Sequence, residues 1–516
     1  MALSATVSTP QLDSEFARLP LFAAADAAIS GALALGAEHA DVRIIRTRTA
    51  VLSTRDAKKE SSTDDASLSM GLRVLVDGCW GFAATAAVTQ QSAASLSAQA
   101  VGLAKVSKPL ATRPVVLADE PTYEGMWFSA YEIDPFDVPE SERLAVLSDR
   151  SAALMAAGID HVDAWVRQVR ECVFFADSRG TKVSQQRVRI EAQWDATVVD
   201  AATSRFETMS TTAPPVGRGW EYVLGGGDTV GGARPWDWND ELQQLPERLK
   251  EKLRAPSVEP GRYTLVIDPT NLWLTIHESI GHATEFDRAL GYEANYAGTS
   301  FATPEKLGNF AYGSTIMNVT GDRQVPHGLS TVAWDHEGVA AQQWDIVKDG
   351  TLVGYQLDRA MAAEFGHERS NGCAFADAGD HVPIQRMPNV SLQPDLNGAA
   401  SAADLIRSVE DGIYVVGDKS WSIDMQRYNF QFTGQRFMRI KSGQIVGQVK
   451  DVAYQGKTPE FWGSLVALGG PSTYLLGGAL NCGKGQPGQT APVSHGCPAA
   501  VFENINILNT TAEAGR

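Results

Sequence analysis

The residues best suited to chemistry in this chain of 516 lie in one run, Thr275-Ile276-His277-Glu278-Ser279-Ile280-Gly281-His282-Ala283-Thr284-Glu285-Phe286-Asp287. Two imidazoles and a carboxylate fall within six residues, although the whole chain holds only nine His. Imidazole nitrogens are common zinc ligands, and a Glu directly after the first His can act as general base in a metal-assisted hydrolysis. The familiar pattern for such a site puts its His at i and i+4, on one helix face. Here the pair stands at i and i+5, rotated by about 140° in a regular helix, too far for both rings to reach one ion. A π-turn adds one residue to a helical turn and returns the two side chains to the same face. Gly281, which has no Cβ, eases that distortion. On spacing alone, a metal site and two helix histidines on separate faces are balanced readings.

A zinc ion that does chemistry takes three protein ligands and keeps a fourth position open. Far downstream, Asn481-Cys482-Gly483-Lys484-Gly485-Gln486 reads as a Gly-rich turn, with Cys482 as a candidate third ligand. The neighbouring Lys484 favours its thiolate over the thiol. The competing reading of Cys482 is a small buried side chain that binds nothing. Glu285 and Asp287 either orient a ligand imidazole through its second nitrogen or form a solvated helix end. His495 and Cys497 read as turn residues, and Asp335-His336-Glu337 as a loop beside the cleft.

These residues must be positioned by the elements around them. Residues 263–268 form a strand leading into the metal helix, which Thr270 or Asn271 caps and whose Leu272, Ile276 and Ala283 face the core. Short β-runs at 346–354, 412–416, 437–441, 444–449 and 501–508, separated by Gly, Asn and Asp turns, give a β-rich, barrel-like or sandwiched domain. Upstream, helices at 16–37 and 89–105 flank strands at 41–48, 50–54 and 67–75, with a hairpin at Asp77-Gly78. A helix at 141–158 precedes a meander at 162–168, 171–175 and 187–199. The fold class is α+β. Residues 1–210 form an N-terminal layer domain with a mostly antiparallel sheet. Residues 211–258, with their Gly and Pro runs and Trp220, Trp236 and Trp238, are a linker or lid plus a helix. Residues 259–516 form a β-rich domain carrying the metal helix.

Hydrophobic residues at 44% and charged ones at 20% are those of a soluble globular protein. With 44 Lys and Arg against 61 acidic residues the formal charge is -17, which repels phosphate backbones and anionic lipid and so argues against nucleic-acid and membrane partners. Five scattered cysteines are not a disulfide framework. Residues 1–15 carry no basic region followed by an apolar core, and the Ala-rich run at 19–37 is interrupted by Pro20 and Asp26. A cytoplasmic location fits these features.

Several motifs recur in register along the chain: His277-Glu278-x-x-Gly281-His282-x-x-Glu285-x-Asp287, Asp335-His336-Glu337-Gly338, Asp349-Gly350-x-Leu352-x-Gly354-Tyr355, Arg386-Met387-x-Asn389, and Cys482-Gly483-Lys484-x-Gln486. The series resembles the TldD/PmbA family of zinc metalloproteases, specifically the TldD-type, metal-bearing subunit, across the C-terminal half and more loosely before it. That resemblance implies His277, His282 and Cys482 as zinc ligands and Glu278 as the catalytic base acting on zinc-bound water. It implies unfolded or leader-type peptides as substrates, entering a closed cavity and adding as a strand to a sheet edge. It also implies a dimer, with a related metal-free TldE/PmbA-type subunit or with itself. Residues 424–430 carry Arg427 and Tyr428 where the family form is Gly-rich. The expected activity is zinc-dependent peptide hydrolysis. An amide hydrolase acting on a small or modified peptide-like compound through the same site is the alternative, and a non-catalytic partner subunit is a third reading.

Overall fold

The computed structural model describes residues 11–485 and 488–513. The first sheet is made of strands longer than their local patterns suggest. His39–Arg55 and Lys58–Val76 pair along their length, so the runs expected at 41–48, 50–54 and 67–75 belong to two continuous strands. Across the sheet the order is Cys79–Thr85, Lys58–Val76, His39–Arg55, His161–Asp177, Lys182–Asp200 and Glu124–Phe128, with Arg205–Ser210 also paired to Lys182–Asp200. Only Glu124–Phe128 pairs in parallel. At Asp77-Gly78 both residues have positive φ, 49° and 72°, the turn whose twist matches a tight hairpin. The single helix expected at 16–37 is two, Ser14–Ala17 and Leu21–Ala34, because Pro20 has no N–H to continue the ladder.

Leu21–Ala34 and Gln90–Ser107 cover part of this sheet through small side chains. Ala24, Ala28, Ala93, Ala100 and Ala104 share a cluster with Val42, Ile44, Met70, Leu72 and Val74. Glu140–Ala156 and Trp238–Arg254 contribute to a second cluster around Trp194. Within residues 212–238, Trp220, Tyr222 and Val223 are buried in that cluster, and the indole of Trp238 donates to the Tyr222 carbonyl at 2.8 Å. Residues 224–230 lie toward the surface.

In the second half, Gly261–Ile267 pairs with Ala500–Asn509, which pairs with Val452–Lys457, then Asn429–Lys441, then Asp411–Ile423, which returns in parallel to Gly261–Ile267. Five strands thus close a ring, the barrel-like form expected for this half. Leu265, Ile267, Ile413, Val415, Phe432, Tyr454 and Phe502 of the ring share one core with Leu272, Ile276 and Ile280 of the following helix. Each such buried side chain contributes about 1.5–3 kcal/mol, so the segment carrying His277 and His282 is anchored by burial before any ligand acts. A smaller antiparallel sheet of Thr351–Leu352, Gln343–Lys348, Val319–Asp322 and Asn389–Leu392 lies beside it, with the hairpin Leu475–Lys484 and Gln489–Cys497.

The cap of the metal helix differs from the expectation. Asp268 is the cap, accepting the Thr270 N–H at 3.0 Å, and Pro269 takes the first helical position, where its missing N–H costs nothing. Asn271 instead ties the helix to the ring, its amide donating to the carbonyls of Gly417 and Thr433. Among the described residues no helix is long and apolar enough to cross a membrane.

Candidate metal centre

Helix Pro269–Ile276 runs into a π-helical turn, His277–Gly281, and then a 3-10 turn, His282–Thr284. This is the added residue that the i, i+5 spacing requires, and it leaves the two imidazole centroids 4.7 Å apart. Widening a turn displaces backbone hydrogen bonds, and outside donors fill in: Tyr312 Oη donates to the Ser279 carbonyl at 2.5 Å and Gln356 Nε2 to the Gly281 carbonyl at 2.6 Å. Gly281 serves the turn differently from the expectation. Its φ and ψ of -51° and -62° are open to any residue. What favours glycine is space, since a Cβ there would lie 3.0 Å from Met387 Sδ, which would have to give by a few tenths of an ångström.

The ligand atoms of His277, His282 and Cys482 lie within 4.8 Å of one another, and all three residues are buried. Cys482 Sγ stands 3.5 Å from His282 Nε2. Cys482 sits near the end of strand Leu475–Lys484 rather than in the turn that follows it, and Gln486 lies outside the described residues.

Hydrogen bonds behind the rings fix which nitrogens face inward. His495 Nδ1 donates to the Val390 carbonyl at 2.9 Å, so its Nε2 accepts the Nδ1–H of His277 at 2.8 Å. His277 Nε2 therefore keeps its lone pair. His282 Nδ1 donates to Glu285 Oε2 at 3.0 Å, which leaves its Nε2 free in the same way. Two lone pairs and a sulfur facing one another repel unless a cation or a proton stands among them. Two imidazole nitrogens with a thiolate are a donor set that fits zinc.

Electrostatics point the same way. Burial, with the neighbouring His282 and His495, holds the His277 imidazole well below its usual range, and burial brings His282 down to about 3. Both rings are neutral near pH 7, as ligands must be. Burial pushes the Cys482 thiol up to about 11 against the pull of Arg386, whose Nη2 donates to Sγ at 3.0 Å. Binding a metal deprotonates such a thiol outright.

Lys484 does not act on the sulfur as expected. Its Nζ bonds Asp287 Oδ1 at 2.8 Å and the Gln385 carbonyl at 2.7 Å and lies 3.2 Å from Glu285 Oε1, so it neutralises the acids behind His282. Arg386 is the cation on the sulfur. Glu285 and Asp287 are buried, not a solvated helix end. Burial would raise Glu285, but Lys484 and His282 hold it well below the ordinary carboxylate range, so it stays an acceptor for the imidazole. His495 and Cys497, expected in a turn, lie in strand Gln489–Cys497, and the role of His495 has no local signal because the residue it supports lies 218 positions away.

Glu278 lies in the same π-turn and lines a cavity of about 450 Å³ together with His277, His282, Cys482, Trp273, Trp421 and residues 211–215. Burial raises its carboxyl above the usual range, opposed by Arg427 and Arg288, and Arg427 Nη1 donates to Oε2 at 2.8 Å.

Comparison with known proteins places this arrangement. The family description PmbA/TldA metallopeptidase C-terminal domain matches residues 260–509, and PmbA/TldA metallopeptidase domain 1 matches residues 40–104. A metalloprotease of Methanothermobacter thermautotrophicus is 28% identical over 479 residues, 92% of this chain and 96% of that protein. A zinc metalloprotease TldD homolog of Saccharolobus solfataricus is 26% identical over 273 residues, 53% of this chain and 57% of that protein. The crystal structure of TldE from Thermococcus kodakarensis shares the fold, with a TM-score of 0.67 at 16% identity over 94% of this chain and 99% of that one. With the two matches covering strands of the first sheet and nearly all of the second half, the chain belongs to the PmbA/TldD family of metallopeptidases.

Proposed function

We propose that this chain is a zinc-dependent peptidase in which His277, His282 and Cys482 hold the ion and Glu278 is the general base. The observation that carries the reading is the convergence of three ligand atoms within 4.8 Å beside a buried carboxylate of the same turn. The zinc in the name of the Saccharolobus solfataricus relative supports the choice of metal. A zinc ion bound there supplies Lewis acidity, which polarises the scissile carbonyl and acidifies water. Glu278 accepts the proton of the attacking water and delivers it to the leaving amine. A carboxyl raised by burial suits a group that must hold a proton for part of each cycle. Glu285 and His495 keep the two imidazoles in the tautomer that offers Nε2.

The substrate is an extended peptide, unfolded or leader-type. Strand Leu475–Lys484 pairs with a strand on one side alone among the described residues, and its residues 477–479 line the cavity, so a peptide can add to its free edge. Residues 1–210 and 259–516 act as two domains joined by 211–258, and the protein works in the cytoplasm as a dimer with a TldE-type subunit or with itself. The fold shared with TldE supports that partnership. A second reading, an amide hydrolase for small or modified peptide-like compounds, is favoured by Arg427, which narrows the cavity beside Glu278.

The test is Glu278→Gln. The amide still accepts the Arg427 bond, so fold and zinc content stay as they are while hydrolysis of an unfolded protein falls about 10²–10⁴-fold. Undiminished hydrolysis removes Glu278 from its role.

A further inference from the structure

We propose that Arg427 anchors a carboxylate of the substrate, so that the site takes peptides or amides with a free carboxylate on the residue next to the scissile bond. This rests on the peptidase reading above and specifies its substrate class.

Arg427 lies in the turn joining strands Asp411–Ile423 and Asn429–Lys441 and has a φ of 62°. A side chain in this left-handed region costs about 1–2 kcal/mol, a strain absent for glycine. The turn is pinned from all sides. Asp424 Oδ1 accepts the Tyr428 N–H at 2.8 Å, Thr458 Oγ1 donates to the Arg427 carbonyl at 2.8 Å, and the N–H groups of Thr299 and Phe301 donate to the carbonyls of Met425 and Gln426. Rigid support of a strained position is how sites hold functional side chains.

The guanidinium is only partly used. Nη1 serves Glu278, Nη2 reaches the Ala297 carbonyl at 3.3 Å, and Nε is buried with no partner. Nε is shielded from solvent and Nη2 holds the Ala297 carbonyl, so a carboxylate takes this Nε and Nη2 edge, the face of the fork that donates two parallel hydrogen bonds, by displacing that contact. The edge also sits one hydrogen bond from the base. A carboxylate held there lies about one residue, roughly 3.5 Å of extended chain, from the bond that Glu278 serves. Trp273, Trp421 and Leu475 supply apolar wall for the side chains on either side.

The first measurement needs no turnover. Zinc-loaded Glu278→Gln protein is titrated by calorimetry with alanyl-phenylalanine and with its C-terminal carboxamide. The acid is expected to bind at least tenfold tighter. Arg427→Met in the same background removes that difference, and Arg427→Lys, which keeps the charge without the fork, removes most of it. Equal binding of acid and amide, or a difference that survives Arg427→Met, overturns the anchor and leaves the peptidase reading standing. In the wild-type protein, kcat/KM for a peptide ending in the same dipeptide falls about 10²-fold on amidation. An amidated peptide carrying a glutamate side chain at that residue separates the sources: restored turnover assigns the anchor to side-chain carboxylates, and no restoration assigns it to the chain terminus. If neither acid nor amide is hydrolysed while the binding difference persists, the anchor stands and the peptidase reading fails.

Discussion

Where the first sheet meets the loop after residue 334, Asp41 takes Arg43 and Arg73, Arg73 also takes Glu337 at 2.9 Å, and Glu171 takes both Arg187 and Arg189. Around His277 the buried polar atoms are arranged the other way. Its Nε2 and that of His282 are acceptors, and the thiol of Cys482, protonated until a metal binds, faces them. Both clusters are desolvated, yet the first sets its carboxylates against protein cations, whereas the ligand atoms of the second face one another and are reconciled by a proton or a cation. A buried cluster of paired opposite charges serves the fold, whereas one of converging metal-ligand atoms is a candidate site.

The largest effect that separates the two comes from deleting one member of each. Glu171→Gln strands Arg187 and Arg189 in the interior and should cost about 3–5 kcal/mol of stability, with zinc binding retained by whatever remains folded. Cys482→Ala removes one small side chain from the metal-free protein, which should lose no more than about 1 kcal/mol in urea unfolding. Its zinc content should fall to background after dialysis. Zinc retained by Cys482→Ala, or a Glu171→Gln protein as stable as the wild type, breaks the distinction.

A smaller effect sharpens it. His495→Phe preserves a ring stacked on Trp273 but removes the acceptor behind His277. Loss of such a support lowers metal affinity by about 10–100-fold, read by competition against a chromophoric chelator. An unchanged affinity would mean that the His277 tautomer is set some other way.

How much of this was legible in the sequence depends on the range of the interaction. The five-residue step from His277 to His282 forces a π-turn if both rings bind one ion, and the turn is present, because the constraint is local. Leu272, Ile276 and Ala283 face the core as their helical spacing requires. The helix starts before the expected caps Thr270 and Asn271, because Pro269 fits the first turn and leaves Asp268 as the cap. Thr49 falls between the strands expected at 41–48 and 50–54, but it continues one strand whose burial merely lessens at residues 47–49. His495 and Arg386 were beyond local reading, since each meets its partner through strand pairings set by the whole second half. Closure of the ring likewise depends on Asp411–Ile423 returning to Gly261–Ile267, a parallel pairing with no turn signal to announce it.

A buried charge outside both clusters tests the rule itself with the smallest effect. Lys252, in the last turn of helix Trp238–Arg254, is buried, donates to the Thr208 carbonyl at 2.9 Å and reaches Glu207 only at 3.7 Å. Burial, with the charge of Lys419, brings its ammonium down to about 8. The unfolded chain holds that proton up to about 10.4, so between these values the unfolded state binds more protons and stability rises with pH. Below about 8 the cost of the buried charge is fully present. Lys252→Met keeps the apolar stem and removes the charge, at the loss of one hydrogen bond. Its net gain should be about 1 kcal/mol at pH 7 and should shrink as pH rises from 8 to 10, followed by thermal melts of both proteins across that range. A gain independent of pH would assign the effect to side-chain fit alone, and a loss at pH 7 would show that Glu207 and the Thr208 carbonyl match the charge.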